Sequence, residues 1–87
     1  MSEHEIKERL KAFILEVFFM TDPAQLTDDV SLIDSGIVDS TGILDIILFI
    51  EGEYGISVGD QEATPENLET IARIAAFVQR KRSVPIS

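Results

Sequence analysis

Residues 40–54 read STGILDIILFIEGEY, and their apolar positions recur at intervals of three and four, as on one face of an α-helix. The positions on the inward face are Ile43, Ile46, Ile47, Ile50 and Tyr54. A neighbouring stripe contains Leu44 and Leu48, with Thr41 near its start. The β-branched content would also suit a buried strand, but the stretch is too long for one and lacks turn residues. It therefore predicts a helix that stops at Gly55.

Upstream, residues 5–20 repeat the amphipathic spacing and predict a first helix. Its apolar positions are Ile6, Leu10, Phe13, Ile14, Val17 and Phe18. Pro23 predicts the stop, because proline lacks an N–H donor and biases the residue before it away from helical geometry. Residues 21–39 then form a long connection, in which Gly36 permits a turn. We expect this loop to pack on the core through Leu26, Val30, Leu32, Ile33, Ile37 and Val38.

Downstream, residues 60–63 have the composition of one short turn of helix. Thr64 followed by Pro65 has the order of a cap and a first helical residue, which predicts a short helix whose Leu68 fills the core. Residues 70–82 predict a last helix. Its inward positions are Ile71, Ile74, Ala75 and Val78. The fold class is therefore all-α, with three main helices, a short helix between the last two and a long first loop.

The length of 87 residues predicts one domain over 1–87, in which 83–87 form a flexible tail. With 45% hydrophobic residues, the chain has enough apolar material for a small core. It has no Cys, which excludes a disulfide framework, a thiolate nucleophile and a cysteine metal site. No apolar run approaches the roughly 20 residues of a membrane span, and no signal peptide is recognisable. We expect a cytoplasmic monomer without membrane insertion.

Charge is distributed unevenly along the chain, whose net charge is −9. Residues 12–72 contain thirteen Asp and Glu and no Lys or Arg, because every basic residue lies nearer an end. Such a surface repels nucleic acid and attracts a basic protein partner. The alternative is that these acids only keep a small domain in solution. Charge alone does not choose between the two interpretations.

The pair Asp-Ser occurs twice in residues 34–40, which read DSGIVDS. Ser35 lies within the loop, where a serine side chain bonds nearby backbone in a turn. Ser40 lies where the helical period begins, so it is either an N-cap or a site that favours an attached phosphate. A catalytic serine needs a base, and the single histidine, His4, lies near the N-terminus. Ser40 therefore has the features of a residue that an enzyme acts on, and the chain itself is not an enzyme.

The segment LIDSGIVDSTGILDIILFIEGEYGISV, residues 32–58, strongly resembles the core of acyl carrier proteins. The end of that segment, EYGISV, resembles the motif that closes the second helix of the family, and NLETIARIAAFV resembles its last helix. In that family an Asp-Ser pair opens the second helix, and the serine receives 4′-phosphopantetheine from coenzyme A. The resemblance implies a four-helix carrier-protein bundle with Ser40 as the attachment site. It also implies that Asp39 is recognised by the phosphopantetheinyl transferase.

The resemblance further implies a carrier that holds acyl or aminoacyl groups as thioesters and delivers them to partner enzymes. Those partners would be the phosphopantetheinyl transferase, an acyl- or aminoacyl-activating ligase, and downstream transferases or synthases. The implied docking residues are Thr41, Leu44, Asp45, Leu48 and Glu51. For the two leucines, core packing is the alternative. Thr41 and Gly42 resemble D-alanyl and other stand-alone specialised carriers more than housekeeping fatty-acid carriers. The alternative function is a small acidic helical adaptor without a prosthetic group.

Overall fold

A computed structural model describes residues 3–18 and 26–83. The four helices are α1 (Glu3–Val17), α2 (Ser40–Tyr54), α3 (Pro65–Leu68) and α4 (Ile71–Ser83). All the secondary structure in these two stretches is helical, which confirms the all-α fold with a short third helix and a long first loop. The bounds of α2 are those that its apolar period predicts.

The core lies where α4 packs against α1, α2 and α3. It consists of Ile6, Leu10, Ile14, Leu26, Leu32, Val38, Ile46, Ile50, Tyr54, Leu68, Ile71, Ile74, Ala75, Phe77 and Val78. The inward positions expected for α4 are all buried, and Phe77 is buried in addition. Burial of these apolar side chains is the main favourable contribution to folding. None of the described helices has the length and apolar character that crossing a membrane requires.

The first helix is shorter at its C-terminal end than its sequence pattern predicts. The pattern extends over residues 5–20, whereas α1 ends at Val17 and Phe18 belongs to a turn. The stop expected at Pro23 lies outside the described residues. Val17 belongs to the apolar pattern of α1 but is 37% exposed, because complete burial along the helix ends one turn earlier, at Ile14.

Residues 26–39 pack on the helices as an irregular segment with a buried interior side. Its buried side chains are Leu26, Leu32 and Val38, while Val30 and Ile37 are partly buried. The backbone N–H of Leu32 donates a hydrogen bond of 2.9 Å to the carbonyl of Glu69, which joins the segment to the chain before α4. Ile33 was also expected on the core, and that prediction is wrong, since its side chain is 48% exposed.

Asp28 joins this loop to two helices. Its carboxylate lies 2.9 Å from Nζ of Lys11 and 3.3 Å from Nζ of Lys7, both on α1. Its backbone carbonyl accepts a hydrogen bond of 3.0 Å from the N–H of Ala72 on α4. The hydrogen bond from Lys11, with a smaller contribution from Lys7, lowers the pKa of Asp28. The loop is thereby fixed between the first and last helices.

The connection from α2 to α3 begins at Gly55, which has φ +67° in the left-handed region and caps α2. Its N–H donates a 3.0 Å hydrogen bond to the carbonyl of Glu51. The helix stop predicted at Gly55 is confirmed, since a residue without Cβ adopts this conformation at little cost. Further on, the N–H of Glu62 donates to the carbonyl of Gly59 at 2.9 Å, in a turn that precedes α3. Leu68 at the end of α3 is buried, as expected.

Tyr54, the one tyrosine of the chain, is 8% exposed at the end of α2. Its hydroxyl is buried without a hydrogen-bond partner among the described residues, and burial raises its pKa. An unsatisfied buried hydroxyl costs roughly 1–3 kcal/mol. We therefore expect Tyr54→Phe to raise the free energy of unfolding by about 1 kcal/mol, measured by urea denaturation. A fall in stability would show that the hydroxyl has a partner in solution.

Candidate functional site

Ser40 is the first residue of α2 and is exposed. The N-cap is the residue before it, Asp39, whose Oδ1 accepts a 2.7 Å hydrogen bond from the N–H of Gly42. The interpretation of Ser40 as the cap is therefore wrong, because the Asp39 carboxylate already satisfies that helix donor. The Ser40 hydroxyl makes no hydrogen bond within residues 3–18 and 26–83. It stands free at the positive end of a helix.

Ser35 has the local role that its loop position predicts. Its hydroxyl donates to the carbonyl of Leu32 at 3.3 Å and accepts from the N–H of Ile37 at 3.4 Å. Gly36 follows with φ +81°, which confirms the expected turn. The two serines of DSGIVDS thus differ, since the Ser35 hydroxyl is engaged in a turn and the Ser40 hydroxyl has no hydrogen bond to the residues that the structure describes.

Gly42 lets the start of α2 approach its neighbours closely. A Cβ at this position would lie 2.7 Å from Cγ1 of Val38 and 2.8 Å from Cε1 of Phe18. The sequence gives no sign of these two close approaches, because Phe18 and Val38 lie in other segments of the chain. Phe18 and Val38 therefore pack closely against the first turn of α2 at Gly42, and this packing positions Ser40.

Two glycines of α2 make a matched pair for testing this contact. Ala is better than Gly in a helix by about 1 kcal/mol, and a Cβ at Gly52 meets nothing within 4 Å. We expect Gly52→Ala to raise the free energy of unfolding by about 1 kcal/mol. We expect Gly42→Ala to lower it by about 1 kcal/mol, because an overpacking cost of roughly 1–3 kcal/mol outweighs the helix gain. Chemical denaturation measures both, and equal gains would contradict the close packing.

An exposed apolar stripe begins beside Ser40 on α2. Leu44 is 59% exposed and Leu48 is 66% exposed, so the core-packing alternative for these leucines is wrong. Thr41 and Asp45 are exposed on the same part of the helix. The positions with inward spacing are buried or partly buried, as expected. The helix is thus divided into a core face and an accessible face.

Glu51 differs from the other acidic residues near this stripe. Its Oε2 accepts a 2.9 Å hydrogen bond from the N–H of Val58, and its side chain is only partly exposed. Glu51 therefore helps to hold the loop after α2, a contact that helical spacing alone does not reveal. The acids closest in sequence to Ser40 are Asp34, Asp39 and Asp45, and all three are exposed.

Every basic side chain of the protein is engaged within the chain. The ion pairs are Lys7–Asp28, Lys11–Asp28, Arg9–Glu53, Arg73–Glu69 and Lys81–Glu62. Arg80 donates a 2.9 Å hydrogen bond to Asn67, and the Arg82 guanidinium lies 5.8 Å from the centre of the Tyr54 ring. Asp34, Asp39 and Asp45 have no ion pair in the described part of the chain. The region around Ser40 therefore presents uncompensated negative charge.

A cavity of about 190 Å³ lies between the first loop, α2 and α3. Its apolar lining includes Ile43, Pro65 and Leu68, and its polar lining includes Ser31 and Glu69. Since Ile43 is one helical turn after Ser40, the cavity is adjacent to the start of α2. An apolar cavity of about 150 Å³ is large enough for a benzene-sized group. No cluster of three or more acidic or His residues suited to a metal ion occurs within residues 3–18 and 26–83.

The fold and this helix start define a class of small carrier domains, and comparison with known proteins agrees. The chain is 30% identical over 80 residues to an acyl carrier protein of Thermotoga maritima, covering 92% of this chain and 95% of that protein. It is 31% identical over 80 residues to "Probable acyl carrier protein PigG" of Serratia sp., covering 92% of each. It is 32% identical over 76 residues to an acyl carrier protein of Buchnera aphidicola, covering 87% and 91%. No family model matches the chain.

The chain belongs to the acyl carrier protein family. The family expected from the sequence is therefore confirmed, and the protein is a carrier and not an enzyme. Acyl carrier proteins work with a 4′-phosphopantetheine group, so the expected cofactor is also confirmed at the level of the family. The alternative of an adaptor without a prosthetic group is not favoured.

Proposed function

We propose that Ser40 carries the 4′-phosphopantetheine arm and that Asp39 contributes to recognition by the phosphopantetheinyl transferase. The observation that supports this most strongly is the free, exposed Ser40 hydroxyl at the first position of a 15-residue helix. The start of such a helix fits a phosphodiester, because backbone N–H groups and the helix dipole favour negative charge there. Asp39 is adjacent, exposed and fixed in place by its hydrogen bond to Gly42.

The proposed modification is a phosphoryl transfer from coenzyme A. Oγ of Ser40 forms a bond to the phosphorus next to the pantetheine, and the pyrophosphate bond of coenzyme A breaks. Adenosine 3′,5′-bisphosphate leaves, and the hydroxyl proton passes to a base of the transferase. We assign this base to the transferase, since every Lys of the chain and its single histidine, His4, lie outside residues 12–72. When attached, the arm supplies the thiol that a chain without Cys lacks.

As a carrier, the protein would present acyl or aminoacyl thioesters to a succession of enzymes. A flexible tether raises the effective concentration of the bound group at each partner. We propose an activating ligase and downstream transferases or synthases as partners, which dock on Thr41, Leu44, Asp45 and Leu48. Glu51 borders that surface with one carboxylate oxygen, while the other is bound to Val58. Loading assays with candidate adenylating ligases identify the cargo, and Thr41 and Gly42 favour testing aminoacyl and other specialised substrates first.

One labelling experiment tests the attachment site directly. The wild-type protein is incubated with coenzyme A and a broad-specificity transferase, and is then digested on the amino side of aspartate. Cleavage separates DSGIV, residues 34–38, from DSTGIL, residues 39–44, so the two serines fall on different peptides. We expect the added mass on DSTGIL, with fragmentation assigning it to the serine. Added mass on DSGIV would overturn the proposal.

We further propose that the carrier is a single domain over residues 1–87 that acts in the cytoplasm as a monomer. The absence of Cys from the sequence suits a reducing compartment. The uncompensated acids around Ser40 disfavour binding of nucleic acid.

A further inference from the structure

A hollow lies beside Ser40, between the first loop and the start of α2. Its apolar lining residues are Phe18 and Ile37, both partly buried. Gly36 and Gly42 also line it, and neither has a side chain that would fill the space. The hollow has a volume of about 330 Å³, more than the roughly 150 Å³ of an apolar cavity that holds benzene. It therefore has room for a small group attached to Ser40.

The polar lining of the hollow provides hydrogen-bond acceptors. Both neighbours of Ser40, Asp39 and Thr41, line it, and Asp45 lies one turn after Thr41 on α2. Oδ1 of Asp39 accepts the N–H of Gly42 at 2.7 Å. Asp45 is exposed, and its carboxylate makes no ion pair or hydrogen bond within the two described stretches of the chain. Since two carboxylates repel an anion, the hollow suits an occupant with apolar groups and neutral N–H or O–H donors.

We propose that this hollow binds the pantoyl part of the 4′-phosphopantetheine arm between visits to partner enzymes, a proposal that rests on attachment of the arm to Ser40. Beyond the phosphate, the pantoyl unit has two methyl groups on one carbon, followed by a hydroxyl and an amide N–H. The methyl groups would contact Phe18 and Ile37, which removes apolar surface from water. The hydroxyl and the N–H would donate to Asp45, and hydrogen bonds to a carboxylate are stronger than those between neutral groups.

The short distance between the pantoyl unit and the serine favours this hollow over the cavity beside Ile43. Only the phosphate and one CH₂ separate the methyl-bearing carbon from Oγ of Ser40, so the methyl groups can contact only surfaces near that residue. Both sequence neighbours of Ser40 line the hollow, whereas neither lines the cavity. The arm would therefore be held near its base, on the side of α2 that faces the first loop, while its thiol end stays accessible to partners.

Two isoleucines of the first loop make a matched pair for testing this site. Ile37 lines the hollow, and Ile33, four residues earlier, lines the cavity. Truncation to Ala removes the same atoms from both side chains. Ile37→Ala therefore changes the proposed arm site, and Ile33→Ala changes the opposite side of α2.

The test is an NMR experiment on the modified protein, labelled with ¹³C and ¹⁵N and carrying an unlabelled arm. In an isotope-filtered NOESY spectrum, we expect cross-peaks from the two pantoyl methyl groups to Phe18 and Ile37. The methyl resonances should also be shifted from those of free 4′-phosphopantetheine, because an aromatic ring shifts the resonances of nuclei beside it. Ile37→Ala and Asp45→Asn should each move the methyl resonances back toward the free positions. Ile33→Ala should leave them unchanged.

Thermal melts of each variant verify that the protein is folded. Cross-peaks to Pro65 or Leu68 in place of Phe18 would put the arm in the cavity, and methyl resonances at their free positions would put it in solvent. Either result, or methyl shifts that do not respond to Ile37→Ala, would overturn the arm site. Failure of the proposed function is distinct, because peptide mapping before the NMR experiment would then find no arm on Ser40. An arm on Ser40 without contacts to the hollow would keep the proposed function and reject only the arm site.

Discussion

Ser40→Ala protein should gain no phosphopantetheine mass when it is incubated with coenzyme A and a transferase that fully modifies the wild type. The reason is that the substitution removes the only oxygen that can form the phosphodiester in our proposal. The fold should be unaffected, because Ser40 is exposed and its side chain makes no hydrogen bond within the described residues. The cap of α2 is the preceding residue, Asp39, which the substitution leaves in place. Intact-mass spectrometry gives the extent of labelling, and a thermal melt verifies the fold.

Ser35→Ala is the matched control, since it changes the other serine of an Asp-Ser pair five residues away. It removes two hydrogen bonds of the turn, at 3.3 and 3.4 Å, so a modest loss of stability is expected. Labelling of Ser35→Ala should nevertheless reach the wild-type level. If Ser40→Ala were labelled normally, the attachment site would lie elsewhere in the chain.

Ile50→Ala and Leu48→Ala should separate stability from docking on the same helix. Ile50 is completely buried, and truncating a buried isoleucine costs about 2–5 kcal/mol. That is a large part of the roughly 5–15 kcal/mol by which small domains are stable. Leu48 is 66% exposed, so its truncation should change the free energy of unfolding by less than about 0.5 kcal/mol.

The effects on partner enzymes should be reversed. Leu48→Ala should lower kcat/KM for modification or loading about tenfold, as expected when an apolar anchor worth about 1.4 kcal/mol is removed. Ile50→Ala should affect the reaction only through the fraction of unfolded protein. Thermal melts and a labelling assay on both variants measure the contrast. A large loss of stability for Leu48→Ala with normal labelling would place that side chain in the core.

The sequence predicts α2 and its two faces closely, because a clear helical period over fifteen residues fixes which side chains share each face of the helix. It is less successful where burial depends on the ends of elements. Val17 keeps the period of α1 but lies beyond the last fully buried turn, and Ile33 lies in a loop without any period. A repeating pattern shows which face is apolar, but it does not show how far the neighbouring helices extend along that face.

Within the site, the sequence identifies Ser40 as a candidate, but it leaves open whether Ser40 is the helix cap, and the cap is Asp39. Asp39 and Ser40 are both good N-caps, and only the hydrogen bond between Asp39 and Gly42 shows which one has the role. Two interactions of the site join segments that a helical projection does not place side by side. They are the close approach of Gly42 to Phe18 and Val38, and the hydrogen bond between Glu51 and Val58. Such contacts depend on loop conformation, which local periodicity does not encode.

The engagement of all seven basic side chains within the chain also affects how copies of the protein behave toward one another. A second copy that approaches the acidic surface around Ser40 presents the same excess of negative charge, since the net charge of the chain is −9, so the two molecules repel each other. A crowded solution of this carrier should therefore stay dispersed, and each copy should reach an enzyme separately.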